Sequence, residues 1–525
     1  MDTKASCIGD DSGYRALRQS TGRARVSPDH PFPISSMSDN TPTPRAKRTL
    51  TILLVKPKAR LGTIHALQRF QLMEPIELGY VAAVVPREHR VEVLDLRFFR
   101  NPMASLCRRI KDVKPDIIGF TGYSHEASMV KTLAGAARQA APHAIIVVGG
   151  HHASVAATDY NIPAIDLIVR GEGCLPFRAI VNAVARGEKP EGIEGVVLTG
   201  DGFNPADTQG WPRFPDPTEL PTPRHDLWDH RNYKCVWTCE DAQPWQGLFP
   251  TVSMVRSSFG CRMKCTFCIV PKLCGGQHRH RSADEVAEEI AALPTEHVYF
   301  CDDENFIDPD FAMELAEAIA RRGIRKHYFA WTRATTVNRH PEIFTAWRKL
   351  GLDAAFLGFE FPTDAQLRTV KKGSTVAENA KAHTALRDAG VAVHAAFMLM
   401  PECTHEEFAT LRDYVREMPP AQCSITVCTP SPGTDDYEAM ESRIWVDNPH
   451  DLHDCMHPLT PTRLPLKEFC DLYARQLEEA GAKNPRRVVR RPIPFGDMAR
   501  SALATSRYAR AFRNLYRDYP PHLWH

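Results

Sequence analysis

"TVSMVRSSFGCRMKCTFCIV", residues 251–270, runs from a β-branched stretch into a loop holding Cys261, Cys265 and Cys268. The stretch before the loop reads as a buried strand, so the three thiols stand at a strand's carboxyl end. The pattern recurs downstream. "HVYFCDD" (297–303), "YFAWTRA" (328–334), "AAFLGFE" (354–360), "AVHAAFMLMP" (392–401) and "QCSITVCTP" (422–430) are further strands, separated by helical stretches such as "PDFAMELAEAIARRG" and "TVAENAKAHTALRDAG". Six such βα units are too few to close an eight-stranded barrel, so they predict an open, partial (β/α)6 barrel over 251–445. Its functional face is the carboxyl edge of its strands.

Upstream the same alternation appears once more. "TILLVKPK" (51–58), "RVEVLDLR" (90–97), "DIIGFTGY" (116–123), "AIIVVGGHH" (144–152) and "DLIVRGEG" (166–173) read as strands buried on both faces, with helical stretches between them. They predict an α/β unit over 49–199, a doubly wound parallel sheet whose ligands bind at the strand carboxyl ends near the topological switch point. Thr121, Gly122, Tyr123 and Ser124, then Gly149, Gly150 and His151, then Gly171 and Gly173 all fall at such ends. The glycines either admit the close approach of a bulky ligand or simply turn the chain. Residues 200–250, with "PRFPDPTELPTPRHDLW", read as an extended linker; Cys235 and Cys239 within it are structural thiols.

The spacing of the three thiols has chemical content. Four thiolates close a tetrahedral zinc or an electron-transfer iron–sulfur site, whereas three on a four-iron cluster leave one iron open to a substrate or cofactor. Zinc modules pair short C-x2-C units, and no matching pair follows at finger spacing. Cys274, six residues past Cys268, is the alternative fourth ligand.

Composition bounds the rest. The chain has 525 residues, 43% of them hydrophobic, and a formal net charge of +2, which excludes a global attraction to nucleic acid. Fifteen scattered cysteines without an apolar leader fit a reducing, cytoplasmic setting. No apolar run approaches the roughly 20 residues of a membrane span. Residues 1–48 lack periodicity and read as a disordered lead-in. Residues 446–525 read as a helical, basic tail with Met498, Ala502, Thr505, Ala509, Phe512, Tyr516 and Tyr519 along one face. Such a helix either lies on an anionic membrane surface, peripherally at its inner face, or caps the barrel; a mean hydropathy of −0.33 does not choose between them.

Cys261-x3-Cys265-x2-Cys268, with Phe267 before the last thiol, resembles the signature of radical S-adenosylmethionine enzymes. The upstream unit is similar to the flavodoxin-like cobalamin-binding domain of the cobalamin-dependent subfamily. The resemblance, which covers about residues 50–440, implies a [4Fe–4S] cluster on the three thiols, with S-adenosylmethionine on the fourth iron and cobalamin in the first domain. It implies that Asp303 or Glu304 in "YFCDDENF" faces the amino group of S-adenosylmethionine. Arg333 in "WTRATTV" would meet its carboxylate, and Glu360 in "FLGFEF" its ribose or methionine part. The loop from Thr121 to Ser124 is the candidate for the lower face of the corrin, and His151 or His152 is expected either at its nucleotide tail or as a hydrogen-bonded loop residue. No D-x-H-x-x-G occurs in the chain, so neither His125, His151 nor His152 is expected to ligate cobalt.

The expected activity is that of a C-methyltransferase acting on an unactivated carbon. In the resemblance, one S-adenosylmethionine methylates the reduced cobalt and a second supplies the radical that removes a substrate hydrogen, with electrons from a reductase, flavodoxin or ferredoxin. "FQLMEPIELGYVAAVV" (70–85) and the overall layout look most like hopanoid methylases, and thus like enzymes of a lipid substrate. Two alternatives remain: an anaerobic oxidative cyclase of the magnesium-protoporphyrin type, and a non-catalytic cobalamin or redox sensor.

Overall fold

The computed structural model describes residues 48–238, 247–482 and 492–525. The lead-in apart from Arg48, Cys239 and much of the basic run before the last helix lie outside the described residues.

The first sheet comprises β1 (Thr51–Lys56), β2 (Arg90–Asp95), β3 (Ile117–Thr121), β4 (Ile145–Gly149), β5 (Leu167–Val169) and β6 (Val196–Leu198), in the order β2-β1-β3-β4-β5-β6. The first five are parallel; β6, absent from the sequence expectation, runs antiparallel along the β5 edge. Both faces are buried, which is why these strands read as unbroken apolar runs. Leu53, Val55, Ile118 and Ile146 pack under the helices Pro102–Val113 and Ala127–Ala140. The alternate residues Ile52, Leu54, Ile117 and Val147 pack under Ile76–Ala83 and Cys174–Ala185. Strand order reverses between β1 and β3, so the loops after those strands open a crevice there.

The second sheet comprises β7 (Val252–Val255), β8 (His297–Phe300), β9 (His327–Thr332), β10 (Leu352–Glu360), β11 (Ala392–Leu399) and β12 (Gln422–Val427), all parallel and paired in chain order. Strands β7 and β12 are its two edges, so the barrel is open. Helices coat its outside through Val286, Ile290, Leu315, Trp347, Leu386 and Leu411. Its inner side is filled by the segment that leads into it: Cys235 and Trp237 pack with Val252, Tyr299, Phe329 and Ala354. The Trp237 indole donates to Asp353 at 2.8 Å, and Lys234–Cys235 pairs with Gln71–Leu72. The expected linker is therefore more than a spacer, because burying an indole and a thiol stabilises far more than their solvation would.

The tail is built from helices Leu466–Leu477 and Phe495–Arg513, which pack on the barrel and on each other. Ser501, Thr505, Ala509 and Phe512 are buried, and Phe512 meets Tyr473 at 4.9 Å. Ala502, expected on that face, is exposed, because the buried stripe runs through Ser501 and Ala504. The helix also ends at Arg513, leaving Tyr516 in a separate turn. Below it, Asp454 joins three parts of the chain: it accepts from Thr63 at 2.6 Å and pairs with His457 at 2.9 Å, and His457 in turn reaches Asp518 at 3.1 Å. No helix of the described residues is long and apolar enough to cross a membrane.

Candidate active site

Both sheets turn their strand carboxyl ends toward one cavity of about 760 Å3. From the first sheet come Lys56, Thr121, Gly122, Tyr123, Gly150 and His151; from the second come Cys261, Cys265, Phe267, Cys268, Asp303, Arg333 and Glu360. A smaller cavity of about 420 Å3 shares several of these walls and extends over the first sheet along Gly149, Ser154, Gly171 and Gly173.

The thiol loop is held by carboxylates from the next strand. Asp302, buried, accepts from the backbone of Ser257 and Ser258 at 2.9 and 2.6 Å and from both hydroxyls. Asp303 accepts from Gly260 N and from Arg256, each at 2.8 Å. Gly260 has φ 88°, and a Cβ there would stand 2.1 Å from the Gln277 carbonyl oxygen. Only glycine lets the chain enter the loop at this angle.

Cys261, Cys265 and Cys268 all line the larger cavity. Burial raises the Cys261 pKa and pushes that of Cys268 up to about 12, so both are protonated until a metal displaces the proton. Among the described residues no three His, Cys, Asp or Glu side chains converge on a single ion. Three thiolates on a four-iron cluster need no such convergence, because each takes a different iron. Cys274 lines the smaller cavity instead, against Gly260.

Arg333 places Nη1 3.7 Å from the Cys265 sulfur, and its Nε is buried without a hydrogen-bond partner. A guanidinium left in that state fits an anionic group entering the cavity, such as the methionine carboxylate of S-adenosylmethionine. Glu360 sits at a bulge at the end of β10 with φ 62° and pairs with Lys372 at 2.6 Å. Glu304 is the exception among the expected contacts. It is buried beneath the cavity, accepts from Thr332 at 3.3 Å and Thr336 at 2.7 Å, and burial raises its pKa. Its place is at the start of helix Ala334–Arg339, so of the two acidic candidates only Asp303 lines the cavity.

The first-sheet side is shaped by backbone. Gly150 has φ 92°, and a Cβ would stand 2.6 Å from the Thr121 hydroxyl, so glycine lets the two loops touch; together with Tyr123 they line both cavities and offer a surface to a flat, bulky ligand such as cobalamin. His151 lines both cavities with Nδ1 buried and unpartnered; burial, followed by repulsion from His453, His152 and His125, lowers its pKa to about 4. His152 is internal, bonded to Ser124 at 3.2 Å and Asp159 at 3.1 Å, and does not reach that surface. His125 stacks on Tyr123, which is 54% exposed and therefore available to a ligand. Sequence reading missed Lys56, which lies 5.1 Å from the Tyr123 ring and 3.0 Å from Glu77. The signal was a lone lysine closing the apolar run of β1 at the switch point. Lys372 and Arg256 were missed because each acts through a partner distant in sequence.

Residues 63–181 match the B12 binding domain and residues 255–415 the radical SAM superfamily. The chain is 31% identical over 406 residues to hopanoid C-3 methylase of Methylococcus capsulatus, a match covering 76% of this chain and 75% of that protein. It is 26% identical over 355 residues to the anaerobic magnesium-protoporphyrin IX monomethyl ester cyclase of Cereibacter sphaeroides, covering 65% of this chain and 56% of that protein. The solved structure of the cobalamin-dependent S-adenosylmethionine radical enzyme OxsB, with aqua-cobalamin and S-adenosylmethionine bound, superposes with a TM-score of 0.54 at 15% identity. That match covers 82% of this chain but 62% of that one, and it concerns the fold. The chain belongs to the cobalamin-dependent radical S-adenosylmethionine enzymes. Its activity is methyl transfer, with a [4Fe–4S] cluster, S-adenosylmethionine and cobalamin as cofactors, and the sensor alternative gives way.

Proposed function

We propose that this enzyme methylates an unactivated carbon of a lipid of the hopanoid or a related isoprenoid class, with residues 49–199 seating cobalamin and residues 251–445 generating the radical. The observation that carries this reading is the shared cavity, in which the three thiols and the loops of the first sheet face the same space. Cys261, Cys265 and Cys268 would hold the cluster. Arg333 would orient the carboxylate of S-adenosylmethionine, Asp303 its amino group, and Glu360 its ribose. Thr121, Gly122 and Tyr123 would lie under the corrin, while Gly149, Gly150, Gly171, Gly173 and His151 admit its tail. When bound, these groups supply a hydrogen-abstracting radical and a transferable methyl group, with electrons from a reductase, flavodoxin or ferredoxin. The chain's own part is to hold substrate between them and exclude water.

The lipid reading draws further support from the last helix. Phe495 is 79% exposed and Leu503 53%, and Arg507 on the same helix is exposed with them, so apolar and basic groups meet solvent together. Phe495→Ser with Leu503→Ser should release the cytoplasmic enzyme from anionic liposomes, and salt should weaken binding; partitioning indifferent to both removes the membrane contact.

The deciding experiment is anaerobic incubation of reconstituted protein with methyl-labelled S-adenosylmethionine and candidate lipids or tetrapyrroles. Label in an isoprenoid product is the expected result. An oxygenated, unlabelled tetrapyrrole would establish the cyclase reading instead.

A further inference from the structure

We infer that the floor of the larger cavity, formed by Tyr299, Trp331, Phe356 and Met73, is the substrate subsite, and that it takes the uncharged face of an isoprenoid hydrocarbon and rejects an acid-bearing tetrapyrrole. The inference rests on the proposed function and names the part of the cavity that selects the substrate.

Side chains alternate along a strand, so residues two apart share a face. Tyr299, Trp331 and Phe356 lie within β8, β9 and β10 on the inner side of the sheet, where Trp237 also packs, and all three line the cavity. Asp303 and Arg333 follow the ends of β8 and β9, so they line the cavity at the strand ends, beyond Tyr299 and Trp331. The barrel side of the cavity thus has two tiers, charged at the strand ends and aromatic beneath, while Glu74 and Arg97 of the first domain stand beside the floor, each held by its own partners. The lower tier is continuous: the Trp331 and Phe356 ring centroids are 3.9 Å apart and those of Tyr299 and Trp331 6.4 Å. Trp237 and Phe329 pack behind it, so it is a closed floor.

The cations of the cavity are already engaged: Arg256 with Asp303 at 2.8 Å, Lys372 with Glu360 at 2.6 Å, Lys56 with Glu77 at 3.0 Å, and Arg97, which also donates to the Met73 carbonyl beside the floor, with Asp95 at 2.5 Å. Among the described Lys and Arg side chains that line the cavity, Arg333 alone has no carboxylate within ion-pair distance, and the carboxylate of S-adenosylmethionine claims it. A tetrapyrrole bringing its own carboxylates would have to bury them without counter-charge, which costs several kcal/mol per group. A hydrocarbon face incurs no such cost and gains dispersion contact with the rings.

The test is equilibrium binding to the reconstituted full-length protein, comparing squalene delivered in cyclodextrin with coproporphyrin III. Squalene should bind, and Trp331→Ala and Phe356→Ala should each weaken it by roughly tenfold or more, with Trp331→Phe closer to wild type. Coproporphyrin III should bind more weakly than squalene. Equal squalene affinity in wild type and both alanine variants overturns the proposal, as does preferred binding of coproporphyrin III by the wild type. That wild-type comparison decides even if the variants do not fold. Iron content and S-adenosylmethionine cleavage by the wild-type protein report separately on the reading beneath this one.

Discussion

The two sheets meet at one cavity but offer opposite kinds of surface. The first presents backbone: Gly149, Gly150, Gly171 and Gly173, with Tyr123 and a neutral His151 as the main side chains. The barrel presents side chains: three thiols, the Arg256–Asp303 and Lys372–Glu360 pairs, and Arg333, which has no carboxylate partner. Parallel sheets bind ligands at the same edge in both cases, so topology decides where a cofactor sits and local chemistry decides which one. A large macrocycle needs room and shape. A cluster and a zwitterionic sulfonium need thiolates, an acid and a base.

That contrast breaks most sharply at the thiols. Cys261→Ala, Cys265→Ala or Cys268→Ala should each abolish 5′-deoxyadenosine formation while cobalamin still binds. Cys274→Ala should keep its iron, and iron lost from that variant would restore the four-ligand site. A matched pair of glycine substitutions comes next. Gly260→Ala forces a left-handed residue against the Gln277 carbonyl and should reduce iron incorporation without affecting cobalamin. Gly150→Ala crowds the Thr121 hydroxyl and should do the reverse. The strain in each is on the order of 1–3 kcal/mol. Both variants losing both cofactors would mean that the two sides are not independent. Arg333→Ala should weaken S-adenosylmethionine binding by roughly ten- to a hundredfold, the worth of a charged hydrogen bond, leaving iron content unchanged.

Smaller effects test the joint that holds the two sheets in register. Burial opposes charge on His457, but the Asp454 carboxylate, its hydrogen bond and that to Asp518 raise the pKa to about 9 from 6.5. Burial likewise opposes charge on Asp454, and His457 with the Thr63 hydroxyl holds it near 2 instead of 3.8. The stability from His457 is full below pH 6.5 and is lost as pH rises through 9, whereas that from Asp454 is full above pH 3.8 and is lost as pH falls through 2. The melting temperature should therefore decline between pH 6.5 and 9, and His457→Gln should flatten that decline. An unchanged slope would remove the pair from the account. The smallest effect is expected at cobalt: His151→Ala should leave the electron paramagnetic resonance spectrum of bound cob(II)alamin free of nitrogen splitting, as in wild type. Triplet lines that vanish in the variant would make His151 a ligand.

The thiol spacing, the two runs of βα units and the glycine-marked strand ends were legible in sequence, because each is a local pattern: period, punctuation or motif. Asp303, Arg333 and Glu360 were expected from the resemblance, and with Thr121, Gly150 and Phe267 they line the larger cavity. Local pattern misled at Glu304, where neighbours in sequence point to opposite sides of a loop, and at Ala502, where a helical stripe was drawn one residue out of phase. Other features belong to no local pattern at all. That Trp237 plugs the barrel, that Lys372 occupies Glu360, and that Asp454 with His457 joins residues 63 and 518 depend on contacts between residues 12 to 391 apart in the chain. Sequence by itself determined which residues carry thiolate, charge and backbone freedom, since those are properties of single positions. Tertiary structure alone decided which charges are already paired, because pairing depends on distance across the fold, and that left Arg333, His151 and an aromatic floor among the groups still open to a ligand.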